Sequence, residues 1–520
     1  MNKYSSLKPT SDKDTFLWIC EFCDTENKVI LEEGEVPTTQ CSQYIVSGST
    51  NTKNKPRLAI FCIDISGSMC VSTEVQGKVN LHPRAKVHDL YNEFSSFTEG
   101  MAQWLPGQSQ NVTYISRMQC VQSAVHRELE NLAKNFPDYY PVLITFNQEV
   151  TTYAGTSNND IRTISEELLF DSDTIYANAE GWNIFNGKVS SKVDPSVYEG
   201  MIDTVYNLME GGGTALGPAI MYALGLASGA YGSKILVCTD GLANIGIGNL
   251  DGTGAELEGS SAIYSKMAEI AKKNGVSVSV ISIRGEDCSM ENLGKLSDAT
   301  NGDVDILDPI ELGTRSVNVL SIPVIATNVS ITLNARKELK FVNGESQYIE
   351  EYGNVTAESD ATFSFQPFNP IEDKNKILFQ AQITFTLPDG SKHLRIYTKE
   401  QPITENRDIS EQNLHSNIVG IHSLHESATL AQLGDYQQAR INLISVQRLL
   451  QRGMKSKNDQ KEYINFIKQA ERLDGFMREA QHLDTVLKQT NQTRKQTRDD
   501  AAARNIVKMK KLTKSVFTDK

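Results

Sequence analysis

The apolar run Leu58-Ala-Ile-Phe-Cys-Ile63 stops abruptly at Asp64, and Ile65-Ser66-Gly-Ser68-Met69 follows it. A short, unbroken apolar run of this kind reads as a central strand of a parallel sheet, buried on both faces. Its polar residues then fall at the carboxyl end of the strand, where open α/β sheets place their sites. Aspartate and serine also occupy ordinary strand-to-helix turns for capping reasons. Asp-x-Ser-x-Ser by itself therefore decides little, and the reading depends on what else the chain brings to the same end.

Two further stretches supply it. Gly211-Gly-Gly-Thr214-Ala-Leu-Gly-Pro218 is a glycine-rich loop running into an apolar helix, with a threonine hydroxyl where a loop without side chains can approach a ligand closely. Lys234-Ile-Leu-Val-Cys-Thr239-Asp240-Gly241 is a second apolar strand ending in a carboxylate. Two carboxylates and three hydroxyls suit a small, hard cation that takes oxygen ligands and keeps some water, which indicates Mg²⁺ or Mn²⁺. In number and order, Asp64, Ser66, Ser68, Thr214 and Asp240 resemble the metal-ion-dependent adhesion site of von Willebrand factor A domains. The resemblance implies that an Asp or Glu carboxylate of a protein partner completes the metal's shell.

The chain has 520 residues, enough for several domains with cores of their own. Lys and Arg number 51 against 64 Asp and Glu, a formal charge of -13, which argues against broad nucleic-acid binding. The opening residues Met1-Asn-Lys-Tyr-Ser-Ser-Leu-Lys-Pro9 lack the apolar core of a signal peptide, and no apolar stretch is long enough to span a bilayer. Eight scattered cysteines in so long a chain suit a reducing, cytoplasmic setting. Without a secretion signal the sequons at Asn111 and Asn328 carry no weight.

Residues 1–45 contain Leu17-Trp18-Ile-Cys20-Glu-Phe22-Cys23-Asp-Thr-Glu-Asn27. Cys-x-x-Cys beside aromatics reads as half of a zinc ribbon, and this stretch resembles the second knuckle of the zinc ribbon in COPII inner-coat subunits. No cysteine precedes Cys20, and downstream only Cys41 is near, with Tyr44 where a fourth ligand would stand. Cys20, Cys23 and Cys41 are thus candidate Zn²⁺ ligands, and the other reading is a degenerate, metal-free knuckle packed around Trp18 and Phe22. The polar stretch from Val46 to Arg57 marks a boundary.

Residues 57–310 alternate apolar strands with amphipathic helices, which predicts a doubly wound, largely parallel α/β sheet of Rossmann-like kind. Length and order resemble a von Willebrand A domain. A polar insertion from roughly Cys70 to Asn111, carrying Trp104, leaves from the strand that bears the site and is either a lid or a decoration. Met118, Val121, Val125, Leu129 and Leu132 recur at helical spacing, and His126 on that helix reads as a surface residue. Strands are expected at Val142–Phe146, Val276–Ile283 and Val304–Leu307, and helices at Tyr198–Met209, Ala262–Lys273 and Met290–Asp298.

Residues 316–404 change to alternating periodicity: Val329, Ile331 and Leu333 share one face, as do Phe379, Ala381, Ile383 and Phe385. With a turn at Pro388-Asp-Gly390, this predicts an antiparallel β-sandwich. The close of this region, Gly390-Ser-Lys-His-Leu-Arg-Ile-Tyr-Thr-Lys-Glu-Gln-Pro-Ile-Thr404, is again similar to COPII inner-coat proteins. Residues 408–487 form a helical domain, with one helix to about Leu433, a turn at Gly434-Asp435, a partner from Tyr436 to Gln451 and a third helix from about Asp459 to Leu487. His415, His422 and His425 with Glu426 are more cheaply explained as satisfied side chains than as a metal site. Residues 488–520 form a basic tail, which either stays solvated or docks on an acidic surface.

The order knuckle, A domain, β-sandwich, helices resembles the COPII inner-coat subunits over most of the chain. Those subunits carry a further gelsolin-like domain, and their trunk generally lacks the complete adhesion-type site. Some relatives with this knuckle and A domain carry a permuted Ras-like GTPase. Here no Gly-x-x-x-x-Gly-Lys-Ser/Thr occurs, since Gly187-Lys188-Val-Ser190 lacks the spacing, so no nucleotide pocket is expected. Neither a Gly-x-Ser-x-Gly elbow nor His-Glu-x-x-His is present, and the site motif supplies no general base. The sequence therefore predicts a cytoplasmic, non-catalytic adaptor or scaffold that captures an acidic partner residue through Mg²⁺. The alternative is a COPII-coat-related subunit or adaptor in vesicle transport.

Overall fold

The computed structural model describes residues 1–10, 15–31, 35–48, 55–76, 81, 112–155, 160–182, 184, 193–251, 255–284, 288, 290–314, 322–370, 376–490 and 496–517. Trp104 with most of the insertion, Asn111 and Gly187–Ser190 lie outside them. Two compact units result: Met1–Lys53 with Ile325–Thr490 and Lys508–Lys520, and Asn54–Val324 with Asn491–Val507.

The first unit begins with an antiparallel three-stranded sheet of β1 (Ser6–Pro9), β2 (Thr15–Ile19) and β3 (Glu26–Ile30). The next strand, β4 (Cys41–Ser47), does not join them.

The second unit is built on a seven-stranded sheet. Its strands are β5 (Arg57–Asp64), β8 (Tyr139–Phe146), β9 (Val150–Tyr153), β10 (Ile161–Ile164), β11 (Lys234–Thr239), β12 (Ser277–Ile283) and β13 (Val304–Leu307), in the order β10-β9-β8-β5-β11-β12-β13. β5 is parallel to both β8 and β11, and β11-β12-β13 continue in parallel, whereas β9 and β10 return antiparallel at one edge. A separate two-stranded ribbon, β6 (Ser72–Gln76) with β7 (Val112–Ser116), joins the two ends of the insertion.

Both faces of the large sheet are covered, which is why β5 reads as a continuous apolar run. Leu58, Ile60 and Cys62 point into a core shared with α4 (Leu216–Leu226) and with Tyr264 and Met267 of α5 (Ala255–Asn274). Ala59, Phe61 and Ile63 point the other way, against Val125 and Leu129 of α1 (Arg117–Asn135) and Met201 and Ile202 of α3 (Pro195–Tyr206). Each large apolar side chain buried this way contributes about 1.5–3 kcal/mol. Between these elements α2 (Ser172–Glu180) follows β10, and α6 (Met290–Ala299) and α7 (Pro309–Thr314) flank β13. This is the doubly wound sheet expected from the sequence. His126, expected at the surface, is buried instead: α1 packs on α3, and its Nδ1 lies 2.9 Å from the hydroxyl of Tyr206.

In the first unit, β14 (Val324–Ala335), β16 (Gln347–Thr356), β18 (Lys376–Thr386) and β19 (Lys392–Pro402) form a sheet in the order β16-β14-β18-β19-β4, in which β14, β18, β19 and β4 run antiparallel to their neighbours along β14-β18-β19-β4. Cys41 therefore pairs with Tyr397 at a sheet edge rather than belonging to the knuckle. A small sheet of β15 (Leu339–Phe341) and β17 (Phe365–Pro367) accompanies it. Ile331 sits opposite Ile383 and Leu333 opposite Ala381, so the two alternating sets pack on one face. Gly390, at φ 80°, donates to the Leu387 carbonyl at 2.9 Å and closes the predicted hairpin turn.

The helical part contains α8 (Arg407–Gln412), α9 (Ser416–Gln432), α10 (Tyr436–Gly453) and α11 (Lys457–Thr490). The single helix expected up to Leu433 is broken, because the Asn413 amide takes the Ile409 carbonyl at 2.9 Å and the chain is extended at His415. The described part of the basic stretch, residues 496–517, is packed rather than solvated. It forms α12 (Gln496–Lys510), which buries Val507 in the second unit's core and pairs Arg504 with Asp305 there. Within the first unit, Lys514 pairs with Asp360 and Phe517 is buried beside Phe466. Among the described residues no helix is long and apolar enough to cross a membrane.

Candidate metal centre

β5 delivers Asp64 to the carboxyl end of the sheet, and the chain turns at once through a single 3-10 turn, Gly67–Cys70. Asp64 is fully buried. Its Oδ1 accepts the backbone N–H of Ser66 at 2.8 Å and its Oδ2 accepts the hydroxyl of Thr239 at 2.6 Å. The neighbouring strand β11 ends at Thr239, and Asp240, also fully buried, follows it directly. Ser68 Oγ donates to Asp240 Oδ1 at 2.6 Å and lies 3.0 Å from Ser66 Oγ. Four of the five expected residues thus meet in one continuous set of hydrogen bonds.

Thr214 arrives on its own loop, buried and clamped to that turn through backbone. Gly211 N–H donates to Ile65 O at 2.7 Å and Gly67 N–H donates to Gly212 O at 3.0 Å. On its other side, the N–H of Thr214 donates to Asn244 Oδ1 at 2.8 Å, and its carbonyl accepts from Asn244 N–H at 3.1 Å. Asn147, after β8, holds the loop's flanks by donating its amide to Gly211 O at 3.0 Å and accepting Ala215 N–H at 2.8 Å. Gly212, at φ 86°, makes the reversal that an L side chain would strain.

Electrostatically the centre is short of positive charge. Burial pushes Asp64 up to about 6, with the Asp240 charge acting in the same direction and the hydrogen bonds from Ser66 and Thr239 opposing them. Among the described residues Asp240 has one cationic partner, Arg117, whose guanidinium lies 2.6 Å from Oδ2. Two buried carboxylates, clustered hydroxyls, no thiol and no imidazole form a donor set that fits a hard divalent cation.

Sequence reasoning did not find Arg117, Asn147, Asn244 or the role of Thr239. Thr239 had a usable signal, because it directly precedes Asp240 and its side chain must point to the face opposite its neighbour's. Arg117 had none, being separated from Ser68 by the whole insertion.

The cysteines do not form a matching set. Cys20 and Cys23 share one turn, where Asp24 N–H donates to Cys20 O at 2.9 Å and Cys23 Sγ lies 3.2 Å from Thr25 Oγ1. Cys41 is in another sheet. Among the described residues no three His, Cys, Asp or Glu side chains group as a metal site. The histidines find protein partners: His422 Nδ1 lies 3.1 Å from Thr362 Oγ1, and His425 Nε2 lies 2.7 Å from the Leu512 carbonyl.

No family model matches the chain. It is 28% identical over 529 residues to Circularly permutated Ras protein 1 of Dictyostelium discoideum, a match that covers 99% of this chain and 59% of that relative. The chain therefore spans less than two thirds of the relative's length. Among solved structures, the human COPII-coat protein Sec24c matches with a TM-score of 0.53 at 13% identity, covering 98% of this chain and 66% of that one. A von Willebrand factor type A protein from Catenulispora acidiphila matches with a TM-score of 0.42 at 15% identity, over 81% of this chain and 84% of the other. The likeness to Sec24c shows the fold: a COPII-like layout built around the doubly wound α/β sheet described above.

Proposed function

We propose that this chain is a non-catalytic, cytoplasmic adaptor or scaffold whose A domain captures an acidic residue of a protein partner in a Mg²⁺- or Mn²⁺-dependent way. The observation that carries this reading is the Ser68–Asp240 hydrogen bond, which joins two strand ends into one oxygen-rich centre. Ser66, Ser68 and Thr214 would hold the ion through their hydroxyls, while Asp64 and Asp240 neutralise it directly or through water. When bound, the cation supplies a compact positive charge and an open coordination position for an Asp or Glu carboxylate. The hydroxyls used as ligands are not free nucleophiles, and both carboxylates are already engaged, Asp64 by Ser66 and Thr239 and Asp240 by Ser68 and Arg117, which favours binding over turnover. The eight cysteines, all free thiols, fit a reducing compartment.

The decisive experiment is Mn²⁺ binding to the 520-residue chain, followed by electron paramagnetic resonance of the free ion. It is paired with partner pull-down in Mg²⁺ or chelator. Asp64→Ala is expected to abolish both metal binding and capture. Equal Mn²⁺ binding by Asp64→Ala and by the parent chain would refute the reading.

The likeness to Sec24c over 98% of the chain favours a second reading, a COPII-coat-related subunit or adaptor in vesicle transport. Its test is recruitment to vesicle membranes by a small GTPase, which a plain adaptor does not show. The Dictyostelium relative's name designates a Ras protein, but this chain contains no phosphate-binding Gly-x-x-x-x-Gly-Lys-Ser/Thr, so nucleotide chemistry is not carried over to it.

A further inference from the structure

Arg117 is placed with care at the centre just described. It is the first residue of α1, and Ser116 and Gln119 form a reciprocal capping box around it, with bonds of 3.1 and 2.9 Å. Its own N–H donates to Val71 O at 3.1 Å, which ties the helix start to the turn bearing Ser66 and Ser68. From that fixed backbone a nearly buried side chain, 8% exposed, reaches Asp240 Oδ2 at 2.6 Å and passes 3.5 Å from Ser68 O. Ser68 Oγ already occupies Oδ1. Both oxygens of Asp240 are thus engaged by the chain itself.

Charge counting shows what this does. Among the described residues, Asp64 and Asp240 bring two negative charges and Arg117 one positive, a net of −1 at a buried centre. Adding a divalent ion turns −1 into +1, and one carboxylate from a partner then brings the sum to zero. Without the guanidinium, the ion alone would reach zero and the incoming carboxylate would leave −1. Uncompensated charge is costly where water is excluded. A guanidinium cannot relieve the imbalance by losing its proton.

Resting on the proposed metal-dependent capture, we propose that Arg117 makes the metal and the partner's carboxylate bind together rather than separately. It competes with the ion for Asp240 and so weakens binding of metal alone. It also leaves the metal-loaded centre one charge short of neutrality, which only an acidic ligand restores. By linkage, the factor by which a carboxylate tightens the metal equals the factor by which the metal tightens the carboxylate.

The test is Mn²⁺ titration of the full chain, with and without saturating glutarate as the carboxylate probe, in Arg117→Gln, Arg117→Lys and the parent. Arg117→Gln is expected to bind Mn²⁺ about tenfold more tightly without glutarate and to show a smaller glutarate effect. Arg117→Lys keeps the charge and is expected to stay near the parent in both. With near-UV circular dichroism unchanged, the proposal is overturned if Arg117→Gln binds no tighter than the parent, or if glutarate tightens both equally. It is also overturned if Arg117→Lys gains affinity. Binding that depends on Asp64 but ignores Arg117→Gln would remove only the role of Arg117. Binding indifferent to Asp64→Ala would remove the metal centre as well.

Discussion

The Thr239 hydroxyl donates to Oδ2 of Asp64 at 2.6 Å, although 175 residues separate the two in sequence. Because Ser66 N–H holds the other oxygen, the carboxylate is fixed in orientation before any ligand arrives. Thr239 is itself fully buried. Thr239→Val keeps shape and removes the donor, so it leaves a buried carboxylate oxygen unpaired at a cost of about 1–3 kcal/mol. Thr239→Ser keeps the hydroxyl and is expected to cost less. Urea denaturation of the two variants measures the difference, and equal midpoints would show that this bond does not stabilise the fold.

At the other end of the same sheet the pH dependence has a definite sign. Burial pushes Glu128 of α1 up to about 7, against the pull of Asn131 and of the Lys234 ammonium. The folded chain therefore holds this proton more tightly than the unfolded one. The stability it contributes is fully present below about 4.5 and is lost as pH rises through about 7. Burial lowers Lys234 to about 8, so its contribution runs the other way, present above about 10.5 and lost as pH falls through about 8. Glu128→Gln is expected to flatten the decline on the acid side and to add roughly 2–3 kcal/mol at pH 8. Urea midpoints between pH 4.5 and 8 check this, and a parallel offset across the range would contradict it.

Gly217 opens the helix behind the glycine loop, and a Cβ there would lie 2.0 Å from the Ile247 carbonyl. That carbonyl belongs to the loop whose Asn244 holds Thr214. Gly217→Ala must push the loop away, destabilising the domain by about 1–3 kcal/mol or more, and is expected to weaken Mn²⁺ binding. Gly302→Ala is the matched control, since its Cβ would lie 1.9 Å from Val278 O at the amino end of the strands, away from Asp64. It is expected to lose stability of the same order without a comparable loss of metal affinity.

These contrasts show which parts of the molecule were readable from sequence. β5 was, because burial on both faces leaves an unbroken apolar run and a strand-end carboxylate is a local signal. So were β18, the Pro388 turn and β19, whose alternation and closure depend on neighbours in sequence. β4 was not: Cys41–Ser47 is an edge strand with Tyr44, Ile45 and Val46 exposed, and its partner β19 lies some 350 residues away in the pairing of Gln43 with Arg395. Arg117 was not, because its pairing with Asp240 is created by packing across an insertion. His126 was misjudged for a similar reason, since Tyr206 on another helix decides its burial. Local chemistry named four oxygen donors that now share hydrogen bonds, and non-local packing supplied the cation beside them.

The basic carboxyl-terminal stretch gives the sharpest test of packing over charge. Ten basic residues between Lys488 and Lys520 suggested a solvated or acid-seeking tail, yet Phe517 is only 3% exposed. Its ring lies 3.1 Å from where a Cβ on Gly420 of α9 would stand, and Phe466 of α11 lines the same spot at 3.3 Å. Lys514 holds Asp360 through both its backbone N–H, at 2.8 Å, and its ammonium, at 3.3 Å. An exposed ion pair of that kind is worth at most about 1 kcal/mol, whereas Phe→Ala in a packed site costs about 3–5 kcal/mol. Phe517→Ala is therefore expected to speed trypsin cleavage after Lys510, Lys511 and Lys514 strongly, Lys514→Ala only slightly, and Phe517→Leu to fall between. If the lysine variant matched the phenylalanine variant, charge rather than burial would be holding this segment down.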